Sequence, residues 1–400
     1  MSNIAAKVKN CIESASWIRR MFEEGAALRK QYGDECVFDF TLGNPTMEPP
    51  AELKAELKRL ANEPVAGMHR YMNNAGYDET RAAVAEVIAE GCNQPVTAAH
   101  IVMSCGAGAA MNVVLKTLLN PGDEVIILAP FFVEYKFYID NQGGVAVVVP
   151  TLANFQPNVQ AIEAAVTPRT RALILNSPNN PTGVIYPRET LLQIGELLKK
   201  VEQKSGQSIT VISDEPYARI SFEEPVTNIF DCVDNAVIVT SHSKDLALPG
   251  ERIGYLAANP AMPEVDLFMQ GAIFCNRVLG FVNAPALMQR LVTRLQRASV
   301  DINLYRKKRD RLYTHLTNLG FAMVKPGGGF YLFPQSPLAD EMEFIRLAQK
   351  YFILLVPGSG FGAPGFFRIA YCVDDAMIER SLPAWDKLAA DPQLKGVLKT

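Results

Sequence analysis

The 400-residue chain predicts an α/β fold with two domains, and two features of the sequence carry that reading. Short β-branched runs alternate with stretches long enough for crossover helices, and after residue 290 the pattern changes character. The runs Ile101–Ser104, Glu124–Leu128, Ala146–Val149, Ala172–Leu175, Thr210–Ser213 and Ala236–Thr240 are mostly apolar, as strands covered on both faces of a mostly parallel sheet must be. Residues 46–290 are therefore assigned to a large domain. From 291 a long charged helix (Thr293 to Leu316), a glycine-rich run (Lys325 to Phe333) and a further helix, strand and helix predict a smaller α+β domain. Residues 1–45 are expected to pack with 291–400 in that second domain.

Composition narrows the function. Hydrophobic residues make up 48% of the chain and the formal net charge is −3, so the broad basic footprint demanded by nucleic acid or an anionic membrane is missing. Small molecules are the expected partners. The N-terminal segment mixes Lys7, Lys9, Glu13, Arg19 and Arg20 among short apolar runs, unlike a targeting peptide, and no apolar stretch reaches the length of a membrane span. Seven cysteines, odd in number and without a C-x-x-C pair, read as free thiols of a reducing cytoplasm. The four histidines lack metal-ligand spacing, and no metal is expected.

Four segments carry chemistry-bearing residues. Lys244 lies in Ser241-His-Ser-Lys-Asp-Leu-Ala-Leu-Pro-Gly-Glu-Arg252, directly after a predicted strand. Ser241, Ser243 and Arg252 offer an oxyanion hydrogen bonds and a countercharge beside a lysine, and a lysine that loses its proton can attack a carbonyl. Asp214 follows the strand Thr210–Ser213, where ligands of parallel sheets bind, although a helix N-cap is the competing reading. Asn176-Ser-Pro-Asn-Asn-Pro-Thr-Gly183 follows another strand and by itself is a turn. Ser104-Cys-Gly-Ala-Gly-Ala-Ala-Met111 leads a strand into a helix through small residues, so backbone N–H groups and the helix N-terminus can cradle a phosphate.

In this order, with L-G-N-P at Leu42–Pro45, Tyr71 and Gly76 in a Y-x4-G setting, and F-R-I-A at Phe367–Ala370, these segments resemble the fold-type I, class I/II aminotransferases of the aspartate aminotransferase superfamily. The resemblance spans nearly the whole chain. It implies a seven-stranded, mostly parallel sheet flanked by helices, a cofactor, pyridoxal 5'-phosphate (PLP), and a homodimer with shared active sites. Residue by residue, it implies Lys244 as the Schiff-base lysine and proton carrier, and Asp214 as the partner of the pyridine nitrogen. Tyr217 and Asn180 become hydrogen-bond partners of the phenolic oxygen. Phe132 becomes the aromatic stacked on the ring, with Phe131 as the alternative. For the phosphate it implies the loop Gly106, Ala107 and Gly108, the hydroxyls of Ser241 and Ser243, Arg252, and Tyr71 reaching in from a partner subunit. Arg368, helped by Asn180 and the Gly43 backbone, becomes the clamp for the substrate α-carboxylate.

Two departures stand out from that pattern. The cradle lacks the hydroxyl or glutamine that many relatives place there, and the stretch Cys275–Asn283 is unfamiliar. The implied reaction is transfer of an amino group from an L-amino acid to a 2-oxo acid by a ping-pong mechanism. A carbon–sulfur β-lyase on the same scaffold is the alternative, and a non-enzymatic regulator a remote one. Arg70 and Arg277 are candidates for a distal substrate carboxylate, or ordinary surface arginines.

Overall fold

The computed structural model describes residues 3–14, 25, 28–63 and 66–398; Arg19 and Arg20 lie outside the described residues. The chain packs into two compact units, one of residues 45–306 and 325–329, the other of 1–44, 307–324 and 330–400.

The larger unit is built on a seven-stranded sheet. Its strands are β1 (Ile101–Ser104), β2 (Glu124–Ala129), β3 (Val145–Pro150), β4 (Thr170–Asn176), β5 (Thr210–Asp214), β6 (Ala236–Ser241) and β7 (Gly254–Ala258). They lie in the order β1-β7-β6-β5-β4-β2-β3, with β7 antiparallel to both neighbours and the remaining pairs parallel. The mostly parallel sheet expected from the apolar runs is thus present. Val125, Ile127, Ala172, Ile174, Ile212, Val237 and Val239 join one core cluster with residues of the helix α1 (Ala107–Leu118), including Val113 and Val114. Burial at about 25 cal/mol per Å² makes this apolar layer the main stabilising term for the sheet.

β7 was not recognised in the sequence as a strand, because Gly254-Tyr-Leu-Ala-Ala258 has little β-branched character. Gly254 explains its place: a Cβ there would lie 2.3 Å from the Thr240 carbonyl oxygen and 3.0 Å from the Gly106 Cα. Only glycine lets β7 press between β6 and the loop after β1.

The boundary drawn at 290 moves in the structure to 306. Residues 286–293 form a helix whose Gln289 and Thr293 bond Thr80, and Arg290 and Arg297 pair with Glu79, Glu86 and Glu90, so this stretch belongs with the larger unit. The long helix expected from Thr293 to Leu316 begins instead at Ile302 and runs to Asn318, after a non-helical stretch 294–301 that follows the helix Ala286–Thr293. Residues 325–329 bond Gly183, Ile220 and Phe222 and join the larger unit as well. Within the smaller unit, strands Tyr331–Leu332, Val356–Pro357 and Phe367–Ala370 form an antiparallel sheet, and Phe38–Asp39 pairs with Ile353–Leu354.

Candidate active site

The carboxyl ends of β4, β5 and β6 carry Asn176, Asp214 and the turn with Lys244 on adjacent strands. Asn176 and Asp214, last residues of β4 and β5, stand opposite one another. The Asn176 amide donates to the Asp214 backbone carbonyl (2.8 Å), and its side-chain oxygen accepts from the Asn180 N–H (2.7 Å). The turn 176–183 is thereby pinned to the strand ends, with Asn179 and Asn180 each only 4% exposed.

Asp214 is not a helix cap. The chain after it forms a turn, and its carboxylate accepts a hydrogen bond from the Tyr135 hydroxyl. Burial pushes this carboxyl up to about 7, against the Tyr135 bond that lowers it. Among the described residues no Lys, Arg or His forms an ion pair with it. A buried carboxylate without a cationic partner is costly in its charged form. The adjacent Glu215 is likewise pushed to about 7 by burial, opposed by a bond from the Ser213 hydroxyl and reinforced by the nearby Asp214.

Lys244 sits in α3 (His242–Asp245), a single turn that follows β6 without a break. Asp245 anchors that turn. Its carboxylate bonds the His242 ring (3.1 Å), accepts from Arg219 (3.3 Å) and caps the Leu246 N–H (2.8 Å), while its carbonyl accepts from Val300 (2.7 Å). Arg219 also donates to the Gln296 carbonyl (2.8 Å). Glu215, Arg219, His242, Asp245, Tyr255 and Gln296 line a cavity of about 60 Å³ behind the lysine-bearing turn.

The loop after β1 has the form of an anion cradle. Gly106 has φ +87° and precedes α1, so the amides of its first turn carry no intrahelical partner. A Cβ on Gly106 would lie 2.7 Å from the Arg252 guanidinium, which is therefore laid directly on this loop. Arg252, itself in the left-handed region at φ +52°, donates to the Pro249 carbonyl (2.8 Å). Ser241 and Ser243 are buried in the adjoining turn.

Helix α2 (Glu134–Asn141) supplies Tyr135 and, one turn on, Tyr138. Phe132 just before it is half-buried and meets Tyr135 edge-on at 5.6 Å; Phe131 is a buried core residue with Lys136 over its ring. Tyr217 is buried and lies within van der Waals reach of a Cβ built at Gly329. Tyr71 is 88% exposed, and Arg70 and Arg277 are exposed too, the latter over the Phe274 ring.

In the smaller unit Arg368 is buried and sandwiched between the rings of Tyr331 and Phe361, at 4.6 and 4.7 Å, while donating to the Thr41 carbonyl (2.7 Å). Gly43 lies so close to the Tyr331 hydroxyl that a Cβ would meet it at 2.0 Å. The guanidinium is thus fixed in one plane before any ligand arrives.

Tyr135, Tyr138, Glu215 and the His242–Asp245 pair escaped the sequence reading. Only the spacing of Tyr135 and Tyr138 at i and i+3, on a helix following a strand end, could have drawn attention to them.

Comparison with known proteins shows the family to which the chain belongs. The family "Aminotransferase class I and II" matches residues 36–384. The aspartate/prephenate aminotransferase of Thermus thermophilus is 32% identical over 367 residues, covering 89% of this chain and 91% of the relative. The aspartate aminotransferase of Thermotoga maritima is 31% identical over 360 residues, covering 88% and 91%. A crystal structure of an amino transferase from Eubacterium rectale superposes with a TM-score of 0.93 at 35% identity, covering 97% of this chain and 98% of that one. The chain belongs to the class I and II aminotransferases and is an enzyme of that family, an aminotransferase of fold type I.

Proposed function

We propose that this aminotransferase works with PLP held on Lys244, moving an amino group from an L-amino acid to a 2-oxo acid by a ping-pong mechanism. The observation that carries the reading is Asp214: a buried carboxyl, shifted up by desolvation and, among the described residues, in no ion pair with a Lys, Arg or His. Such a group suits a cationic ring nitrogen, which would return it to its charged form. The cradle fits as well, since the close approach of Arg252 to Gly106 gathers a guanidinium, helix-end amides and two hydroxyls suited to a phosphate dianion.

Bound PLP supplies an electrophilic carbon for the amine and a ring that withdraws electrons from the substrate α-carbon. Lys244 holds the cofactor at rest and, once released, carries a proton to and from the α-carbon. Asp214 keeps its negative charge against the ring nitrogen, and the Tyr135 hydroxyl favours that charge. Tyr217 and Asn180 take the phenolic oxygen, and Phe132 covers the ring face. Gly106, Ala107 and Gly108 amides with Ser241, Ser243 and Arg252 take the phosphate, joined by Tyr71 of the partner subunit in a homodimer. Arg368, with Gly43 and Asn180, takes the substrate α-carboxylate. The 88% exposure of Tyr71, a large aromatic in the Y-x4-G motif, supports the shared site. A reducing cytoplasm, suggested by the unpaired cysteine pattern, belongs to the same reading.

The test is stoichiometric. Given an amino donor alone, the enzyme should release one 2-oxo acid per PLP and stop, and continuous turnover should require a 2-oxo acid acceptor. Continuous release of ammonia from the donor alone would contradict transfer.

A further inference from the structure

The cradle Gly106-Ala-Gly-Ala-Ala110 offers backbone amides but no side-chain hydroxyl. The structure brings one to it from elsewhere. On α2, one turn beyond Tyr135, the Tyr138 hydroxyl lies 3.0 Å from where a Cβ on Gly108 would stand, so the missing side chain in the first turn of α1 is what gives the phenol room. Burial, Glu134 and Asp214 push the phenol up to about 12, and Arg252 opposes them. The hydroxyl therefore feels both the carboxylate assigned to the ring nitrogen and the guanidinium assigned to the phosphate, and it keeps its proton at neutral pH. Among the described residues it has no hydrogen-bond partner, whereas the neighbouring phenols of Tyr135 and Tyr186 bond Asp214 and Asn179. The hydroxyl is not an enclosed orphan but is open on the side of the cradle's exposed surroundings, where water or a ligand can meet it.

We propose that Tyr138 is a cofactor-binding residue that donates a hydrogen bond to the phosphate group of PLP, supplying from α2 the hydroxyl that the alanine-lined loop lacks. The inference rests on the PLP reading above. The competing role is packing, since the ring also lies against the core of the larger unit. Phenylalanine would keep the packing and lose only the donor.

The experiment titrates full-length protein, freed of cofactor, with PLP and with pyridoxal, which lacks the phosphate. Tyr138→Phe should weaken PLP about tenfold, the scale of one charge-assisted hydrogen bond at about 1.4 kcal/mol per factor of ten, and leave pyridoxal unchanged. Gly108→Ala is a second variant, at a helical position where alanine is tolerated, whose Cβ must displace the hydroxyl. It should also weaken PLP selectively, and its effect should shrink in the Tyr138→Phe background. Equal weakening of PLP and pyridoxal by Tyr138→Phe, or no weakening of either, would overturn the proposal. Wild-type protein that fails to take up PLP would instead overturn the cofactor reading itself, so the two failures are distinguishable.

Discussion

Asp214 and Glu215 are neighbours in sequence, yet they serve different surroundings: one carboxyl receives the Tyr135 hydroxyl, the other the Ser213 hydroxyl beside the cavity behind Lys244. Both are pushed to about 7 from ordinary values of 3.8 and 4.5. In the cofactor-free protein the folded state therefore holds protons that the unfolded chain has released. Stability from this source is fully present below about pH 4 and is lost as the pH rises through 7. Thermal melts of cofactor-free protein should show Tm falling over that window, and Glu215→Gln should flatten the fall; an unchanged slope would show that Glu215 does not titrate there. Tyr135→Phe removes the bond that favours the charged form of Asp214. The acid limb of the kcat/KM profile should therefore move to higher pH, and a limb that stays in place would deny Tyr135 this role. Asp214→Ala should lower kcat by several powers of ten, each about 1.4 kcal/mol of barrier. Near-normal kcat would leave Asp214 structural.

At the scale of elements, the strand ends and the turns after them do the positioning. The sequence showed the strands well, because strands covered on both faces must be apolar, and it singled out Asp214, Lys244 and the cradle as candidates through the loops that follow them. It could not show which helix side chains reach those loops. Tyr135 and Tyr138 are ordinary aromatic residues until α2 packs against the sheet and α1, and the Asp245 anchor needs Arg219 and Val300, distant in sequence, to be recognised. Glycine spacing carries similar hidden information. Gly106→Ala would combine a strained φ with a Cβ 2.7 Å from the Arg252 guanidinium. The variant should bind PLP at least tenfold more weakly, about 1.4 kcal/mol, in a binding titration. Wild-type affinity would show that the loop and Arg252 do not act together.

For the whole molecule, the larger unit holds Lys244 and Asp214 while the smaller unit holds Arg368 and Gly43. The boundary between the units was misplaced from sequence, since the charged pattern after 290 hides which partner the helix Ala286–Thr293 packs on. The exposed Tyr71 sets a test at the level of the assembly. On the proposed shared site, Tyr71→Asp would place a negative charge against the phosphate and Lys244→Ala would remove the attachment, so neither variant alone should be active. In a hybrid dimer the site using intact Lys244 receives intact Tyr71 from the other chain. Random pairing should then restore about a quarter of wild-type activity. If mass spectrometry shows subunit exchange and no activity returns, Tyr71 does not act across a dimer.

The central claim is that Lys244 holds the cofactor. Reducing the PLP-loaded enzyme with borohydride and digesting it should place a pyridoxyl phosphate group on the peptide containing Lys244, with none on Lys244→Ala. Finding the group on another lysine, or finding no covalent cofactor at all, would contradict the account.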